Sequence, residues 1–253
     1  MKINKMKAKL YAGEPAFGVS VMIPSPQIVE MVAGLGFDWV LIDCEHGTIS
    51  LETVEILAMA AEASGITAIA RPRTNDPDDI LKVMDRGVMG IQVPHINSAA
   101  DARRAVESVK FHPIGKRGLA AGTRPSGYGF GEPMDQFVLA SNRETLVCVQ
   151  LEDAEAVENV DDILQVDGVD VFFVGPSDLS QSMGYPGNPK AAPVREAIDT
   201  LFGKIAASGK IAGTPAGIAD IKAVLDRGIR YTYNHLPKLL GSAAEEFFSA
   251  GRR

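Results

Sequence analysis

Glu152 and Asp178 each sit where an apolar run gives way to polar chain: Leu146 to Leu151 leads into Glu152, and Val171 to Val174 into Gly175-Pro176-Ser177-Asp178. Strands of a parallel α/β sheet present their chemistry at their carboxyl ends, so two carboxylates placed there share one face. With water and substrate oxygens they make an oxygen-rich site suited to Mg²⁺ or Mn²⁺, which bind through one or two protein carboxylates. Asp178 by itself reads equally well as a helix N-cap, and it is the pair that favours a metal. Gln150 lies two residues before Glu152, so strand alternation puts its amide on the same face, within reach of a substrate oxygen.

A third run, Trp39 to Ile42, enters Asp43-Cys44-Glu45-His46. A histidine beside a carboxylate is fixed in one tautomer and made more basic, which suits general acid/base work; here Asp43 orients and His46 moves the proton. Arg71 ends the run Ala68-Ile69-Ala70, just before Pro72. Its permanently charged, planar guanidinium fits a carboxylate or a developing enolate oxygen, whereas Arg73 reads as surface. Gly175-Pro176-Ser177 can offer backbone amides at a helix start, a seat for an anionic carboxylate. His95, after Pro94, lines the same mouth, His112 falls in a loop and reads as solvated, and His235 follows the last run without a distinguishing neighbour.

The elements that must position these residues follow a regular grammar: a helical run ends, one glycine follows, and an apolar strand begins, at Gly36, Gly65, Gly87, Gly168, Gly209 and Gly228. A glycine at C′ closes a helix in the left-handed conformation, so six such junctions describe an alternating α/β chain. Strands are expected near 16–22, 38–44, 67–71, 89–94, 145–151, 169–174, 210–214 and 229–233. Eight is the number of a (β/α)8 barrel, and 253 residues suit one such domain spanning 1–253. Ser98 with Asp101 three residues later forms a helix-opening capping pattern, and the related stretches Lys82–Gly87 and Ala223–Gly228 read as ordinary helix-to-strand junctions. Residues 111–133 break the rhythm: rich in Gly and Pro, with Lys116, Arg117 and Arg124, they are expected to be either a lid over an anionic substrate or a solvated loop.

Composition narrows the classes. With 46% hydrophobic and 23% charged residues and a net charge of −7, the chain reads as an ordinary globular protein with a small-molecule partner, without the basic face that nucleic acid requires. No apolar stretch reaches the length of a membrane span, and the basic start (Lys2, Lys5, Lys7, Lys9) lacks the apolar segment of a secretion signal, so a cytoplasmic location is expected. Cys44 and Cys148 lie inside strand-like runs and read as reduced, packed thiols.

The segments DWVLIDCEHG (38–47), ARP (70–72), VQLED (149–153) and FFVGPSDLSQSMGYPG (172–187) closely resemble the HpcH/HpaI aldolase family. That family belongs to the phosphoenolpyruvate/pyruvate superfamily of TIM barrels, and the resemblance runs from about Phe17 to Tyr233. It implies a class II pyruvate aldolase, dependent on Mg²⁺, Mn²⁺ or Co²⁺, that cleaves a 4-hydroxy-2-oxo acid to pyruvate and an aldehyde, assembled as a homo-oligomer, usually a hexamer. Carried over by position, Glu152 and Asp178 match metal ligands, His46 the base, Asp43 its partner and Arg71 the enolate-stabilising arginine. Gln150 matches a substrate-positioning amide, Gly175, Pro176 and Ser177 the turn that receives the pyruvate carboxylate, and Glu45 a glutamate near the metal's water. Asp85 and Arg117-Gly118-Leu119 match positions that approach a neighbouring subunit's site. The chain departs from the family pattern at Cys44, where glycine is common, and at Thr214-Pro215-Ala216 and Asn234-His235, on the side where the aldehyde binds.

Other readings compete. A class I aldolase needs a Schiff-base lysine at a strand end, but Lys210 opens its strand and Lys116 and Lys238 lie in or beyond loops. An acyl-CoA ester lyase of the citrate-lyase-like branch shares the scaffold, although no adenine or pyrophosphate site is evident. A non-catalytic 2-oxo acid binder would be expected to have lost its base, and His46 and Asp43 are both present.

Overall fold

The computed structural model describes residues 2–252. Eight strands run parallel and close on themselves, each pairing with the next and β1 with β8. They are β1 (Ala16–Val21), β2 (Trp39–Asp43), β3 (Thr67–Arg71), β4 (Gly90–Val93), β5 (Leu146–Leu151), β6 (Val171–Val174), β7 (Ile211–Pro215) and β8 (Tyr231–His235). The helices are α1 (Lys5–Tyr11), α2 (Pro26–Gly34), α3 (Leu51–Ala63), α4 (Pro77–Met84), α5 (Ala99–Val109), α6 (Met134–Glu144), α7 (Ala154–Glu158), α8 (Val160–Leu164), α9 (Pro176–Ser182), α10 (Ala192–Ala207), α11 (Ile221–Asp226) and α12 (Leu236–Gly251). The expected (β/α)8 TIM barrel is the fold, and each expected strand is present within two residues of its anticipated bounds.

Alternation divides the core in two. Outward strand residues such as Val40, Ile42, Val147 and Val149 pack against the helices, while Trp39, Leu41, Ile69, Cys148, Phe173 and Tyr231 fill the barrel. Followed upward in steps of two, the inward positions turn polar at the carboxyl ends: Leu41 gives Asp43, Ile69 gives Arg71, and Cys148 gives Gln150 and Glu152. The apolar floor beneath offers those polar groups no partners, which they must find among themselves, in the main chain of the strand-end turns, and in water or ligand. Helix ends follow local chemistry. Ser98 caps α5 by accepting from Asp101 N at 3.1 Å, and Gly36 and Gly87 adopt φ of 91° and 95° where their helices turn into strands.

The opposite end of the barrel is plugged by α1, whose Met6 and Leu10 join the interior cluster. Its basic residues are anchors: Lys7 Nζ donates to Thr145 O at 2.9 Å and pairs with Asp170 at 3.0 Å, and Lys9 pairs with Asp38 at 2.9 Å. The segment 111–133 belongs to this end as well, because it runs from a helix back toward a strand. Arg117 pairs with Asp85 at 2.8 Å, Arg124 pairs with Glu62 at the end of α3, and Lys116 pairs with Glu107 at 2.8 Å. The expectation of a lid over substrate is therefore corrected: the segment lies on the face opposite the mouth of its own barrel, with its cations spent on ion pairs. A cavity of about 720 Å³ between Arg124–Gly127 and Lys2–Lys5 lies on that same far face.

Candidate active site

At the mouth, β2 and β3 pair Asp43 with Arg71 in register. Asp43 is fully buried and Arg71 nearly so. Arg71 grips both oxygens of Asp43, with Nε donating to Oδ1 at 3.0 Å and Nη2 to Oδ2 at 2.5 Å. Burial pushes the Asp43 carboxyl up, but the bonds and charge of Arg71, with the amides of His46 and Glu45, outweigh it and hold the acid below its usual range. Burial likewise opposes the charge on Arg71, and Asp43 overrides it, so the guanidinium stays a fixed cation at the mouth. Its Nη1 lies 3.2 Å from Glu45 Oε2.

Oδ1 of Asp43 also accepts the backbone N–H groups of Glu45 and His46, at 3.1 and 3.2 Å. The oxygens of Asp43 are thus engaged by Arg71 and by the main chain of the 45–46 turn, so the structure ties Asp43 to the turn that carries His46, and no bond from it to the imidazole is seen among the described residues. The acid facing the imidazole is Glu45, with Oε2 3.8 Å from His46 Nε2. The His46 side chain is 54% exposed and free to meet a substrate. Burial raises the Glu45 pKa, against the pull of Arg71, His46 and His95.

Across the mouth, Glu152 is 1% exposed. Its Oε1 accepts from His95 N at 3.0 Å and its Oε2 from Gln150 Nε2. His95 aims that N–H from a left-handed backbone, φ 53°, while its ring is held by Asp153 at 2.9 Å and lies 3.5 Å from Glu45. Burial, with the like charge of Asp178 adding to it, pushes Glu152 up to about 7 against its two donors and His95. Asp178 stands half-buried in the first turn of α9. Gly175 is required here by space: a Cβ would come 2.7 Å from Glu152 Oε2 and 3.0 Å from Glu152 Cβ. Its N–H is spent on Leu151 O at 3.1 Å and Pro176 has none, so of the expected anion-binding turn only Ser177 brings an N–H to the first turn of α9.

The donor set fits a divalent cation. Among the described residues no three of His, Cys, Asp and Glu converge to cage a metal. Two carboxylates share this end of the barrel, and Glu152 is raised by burial and by the charge of Asp178, the condition that a Mg²⁺-type ion would relieve while keeping water or substrate oxygens in its remaining positions. The thiols are inert: burial pushes Cys44 up to about 12 and Cys148 well above its usual value. Lys110, whose buried amine is pushed down to about 8, is at the wrong end of the barrel for Schiff-base chemistry, donating to Asn142 O and Thr145 O at 2.9 and 2.6 Å.

His235, half-buried against the Tyr233 ring at 5.4 Å, also reaches the mouth, with burial, Lys238 and Arg71 lowering its pKa. Sequence reasoning passed over Gln92 and Tyr231, which hydrogen-bond each other at 3.1 Å inside the barrel beneath Glu152. The available signal was a lone amide in the buried strand Gly90-Ile91-Gln92-Val93.

Comparison with known proteins places this geometry. The family model described as HpcH/HpaI aldolase/citrate lyase matches residues 17–229. A 4-hydroxy-2-oxo-heptane-1,7-dioate aldolase of Escherichia coli is 37% identical over 211 residues, covering 83% of this chain and 79% of that protein. A hydroxypyruvate/pyruvate aldolase of Sagittula stellata is 35% identical over 215 residues, covering 85% and 82%. The crystal structure of an HpcH/HpaI aldolase/citrate lyase family protein from Burkholderia cenocepacia superposes with a TM-score of 0.92 at 27% identity, covering 99% of this chain and all of that one.

Proposed function

The chain belongs to the HpcH/HpaI aldolase/citrate lyase family, and on that premise we propose that it is a metal-dependent pyruvate aldolase, cleaving a 4-hydroxy-2-oxo acid reversibly to pyruvate and an aldehyde. The observation that carries the reading is the buried, bidentate Arg71–Asp43 pair, linked across the mouth through Glu45 and His95 to the buried Glu152, which also feels the charge of Asp178. Glu152 and Asp178 would hold a Mg²⁺, Mn²⁺ or Co²⁺ ion, which when bound supplies Lewis-acid stabilisation of the charge that develops on the 2-oxo acid oxygens.

The residues do the rest. Arg71, kept cationic and rigid by Asp43, directs its Nη1 edge at the forming enolate oxygen and needs no reorganisation as charge develops. Gln150 and the His95 amide keep Glu152 in place, and Ser177 offers an N–H toward the pyruvate carboxylate. In cleavage His46 takes the proton of the 4-hydroxyl, the C3–C4 bond breaks with its electrons passing to the enolate, and C4 leaves as the aldehyde carbonyl. Protonation of the enolate at C3 gives pyruvate, and the reverse sequence is aldol addition. Glu45, beside His46 and Arg71, balances the charge the imidazole gains.

We place the oligomer contacts, a hexamer by family resemblance, on the surfaces left apolar: Phe130 is 93% exposed, and α12 buries none of its residues, with Phe247 75% exposed. No helix among the described residues is long and apolar enough to cross a membrane. The test is chelation followed by trapping. Stripped protein should release no pyruvate from a 4-hydroxy-2-oxo acid and recover with Mn²⁺, and borohydride with pyruvate should leave no adduct. A lysine adduct would move the enzyme to class I and overturn the reading.

A further inference from the structure

Gln92 points into the barrel from β4, paired in register with Cys148, and is fully buried. Trp39, Leu41, Ile69 and Phe173 fill the barrel interior around and below it, so both ends of its amide must find partners within the protein. One line of bonds runs from it to the mouth, and the Tyr233 hydroxyl bonds the same amide. Tyr231 Oη donates to Gln92 Oε1 at 3.1 Å, Gln92 Nε2 donates to Gln150 Oε1 at 2.6 Å, and Gln150 Nε2 donates to Glu152 Oε2.

The polarity of this line is set from the Glu152 end. A carboxylate oxygen without a proton only accepts, so Gln150 must donate its N–H to it. That leaves Gln150 Oε1 to accept from Gln92 and Gln92 Oε1 to accept from the Tyr231 hydroxyl, a group that can donate or accept as its partner requires. Flipping either would set oxygen against oxygen in a dry interior. The Tyr231 ring is itself held against Trp39, with centroids 4.3 Å apart, and burial keeps its phenol protonated. We propose that Gln92, backed by Tyr231, is a positioning residue that fixes the amide of Gln150 and through it aims the Glu152 carboxylate for binding a divalent cation. This rests on the reading of Glu152 as a metal ligand. Partners one and two bonds removed from a ligand set its orientation, and their loss typically weakens metal affinity 10–100-fold.

A residue that only filled the barrel would affect melting and leave the cation alone, which separates the two roles. The probe is Mn²⁺ by itself, with the free ion counted by its electron paramagnetic resonance signal. Gln92→Met keeps the volume and removes the amide; it should bind Mn²⁺ roughly 10–100-fold more weakly than wild type. Tyr231→Phe keeps the ring against Trp39 and removes one hydroxyl, and should weaken binding in the same direction by less. Wild-type affinity in folded Gln92→Met overturns the proposal and leaves Glu152 as a ligand untouched. If Gln92→Met does not fold, Tyr231→Phe decides, and wild-type affinity there is the refutation. Failure of the wild-type protein itself to bind Mn²⁺ would remove the metal reading and the positioning role with it.

Discussion

Adding one methyl group at Gly175 should disable the site while leaving the barrel standing. The new Cβ of Gly175→Ala would lie 2.7 Å from Glu152 Oε2, against the 3.4 Å at which contact becomes ordinary, so the carboxylate must retreat by about 0.7 Å. Rotation is restricted, because Oε1 is tied to His95 N, Oε2 to Gln150, and Glu152 Cβ is itself 3.0 Å from the added carbon. The backbone accommodates alanine without strain, since φ at Gly175 is −99°. Overpacking of this kind costs about 1–3 kcal/mol. A displacement of that size also exceeds the ~0.5 Å within which a functional group must be held, so Mn²⁺ affinity should fall at least about tenfold. Melting by fluorimetry and Mn²⁺ titration by calorimetry read the two effects separately. A variant that melts near wild type and binds Mn²⁺ as tightly as wild type would refute the tight seat for Glu152.

Two further outcomes are expected. His46→Ala should keep Mn²⁺ and pyruvate binding and lose roughly 10²–10⁴ in kcat for cleavage, the usual range for general acid/base catalysis, and a normal rate would send the search for the base to Glu45. Lys110, depressed to about 8 by burial and by the charge of Lys7, binds fewer protons folded than unfolded between that value and 10.5, so its contribution to stability grows with rising pH across the window. The stability of wild type relative to Lys110→Met should therefore increase from pH 8 to 10.5, by at most about 3 kcal/mol, and a flat difference in urea midpoints would contradict it.

Much of this was legible in the chain because a barrel writes its plan in short range. Strand alternation alone carries Leu41 to Asp43 and Cys148 through Gln150 to Glu152, and each junction glycine follows from local backbone sterics. Partners across strands were not legible. Asp43 and Arg71 are 28 residues apart, and only the β2–β3 register reveals that the acid grips the arginine as well as the turn that carries the histidine three residues on. The Tyr231–Gln92–Gln150 line draws on three strands for the same reason. The side of the barrel taken by 111–133 was in fact readable, since a segment running from helix to strand returns to the amino ends of the strands, but its length and basic residues suggested a lid. Lys5 to Tyr11, a basic segment of seven residues, gave no sign that Met6 and Leu10 close the barrel floor.

The central claim is that the mouth forms and holds a pyruvate enolate, and it is tested most directly by exchange of pyruvate's methyl protons with deuterated solvent, with no aldehyde present. Wild-type protein with Mn²⁺ should exchange them, chelator should stop the exchange, and Arg71→Lys should slow it by roughly 10²–10³ because an ammonium keeps the charge but loses the planar grip on Asp43 and the aimed edge. Exchange at the wild-type rate in chelated protein or in Arg71→Lys would contradict the account.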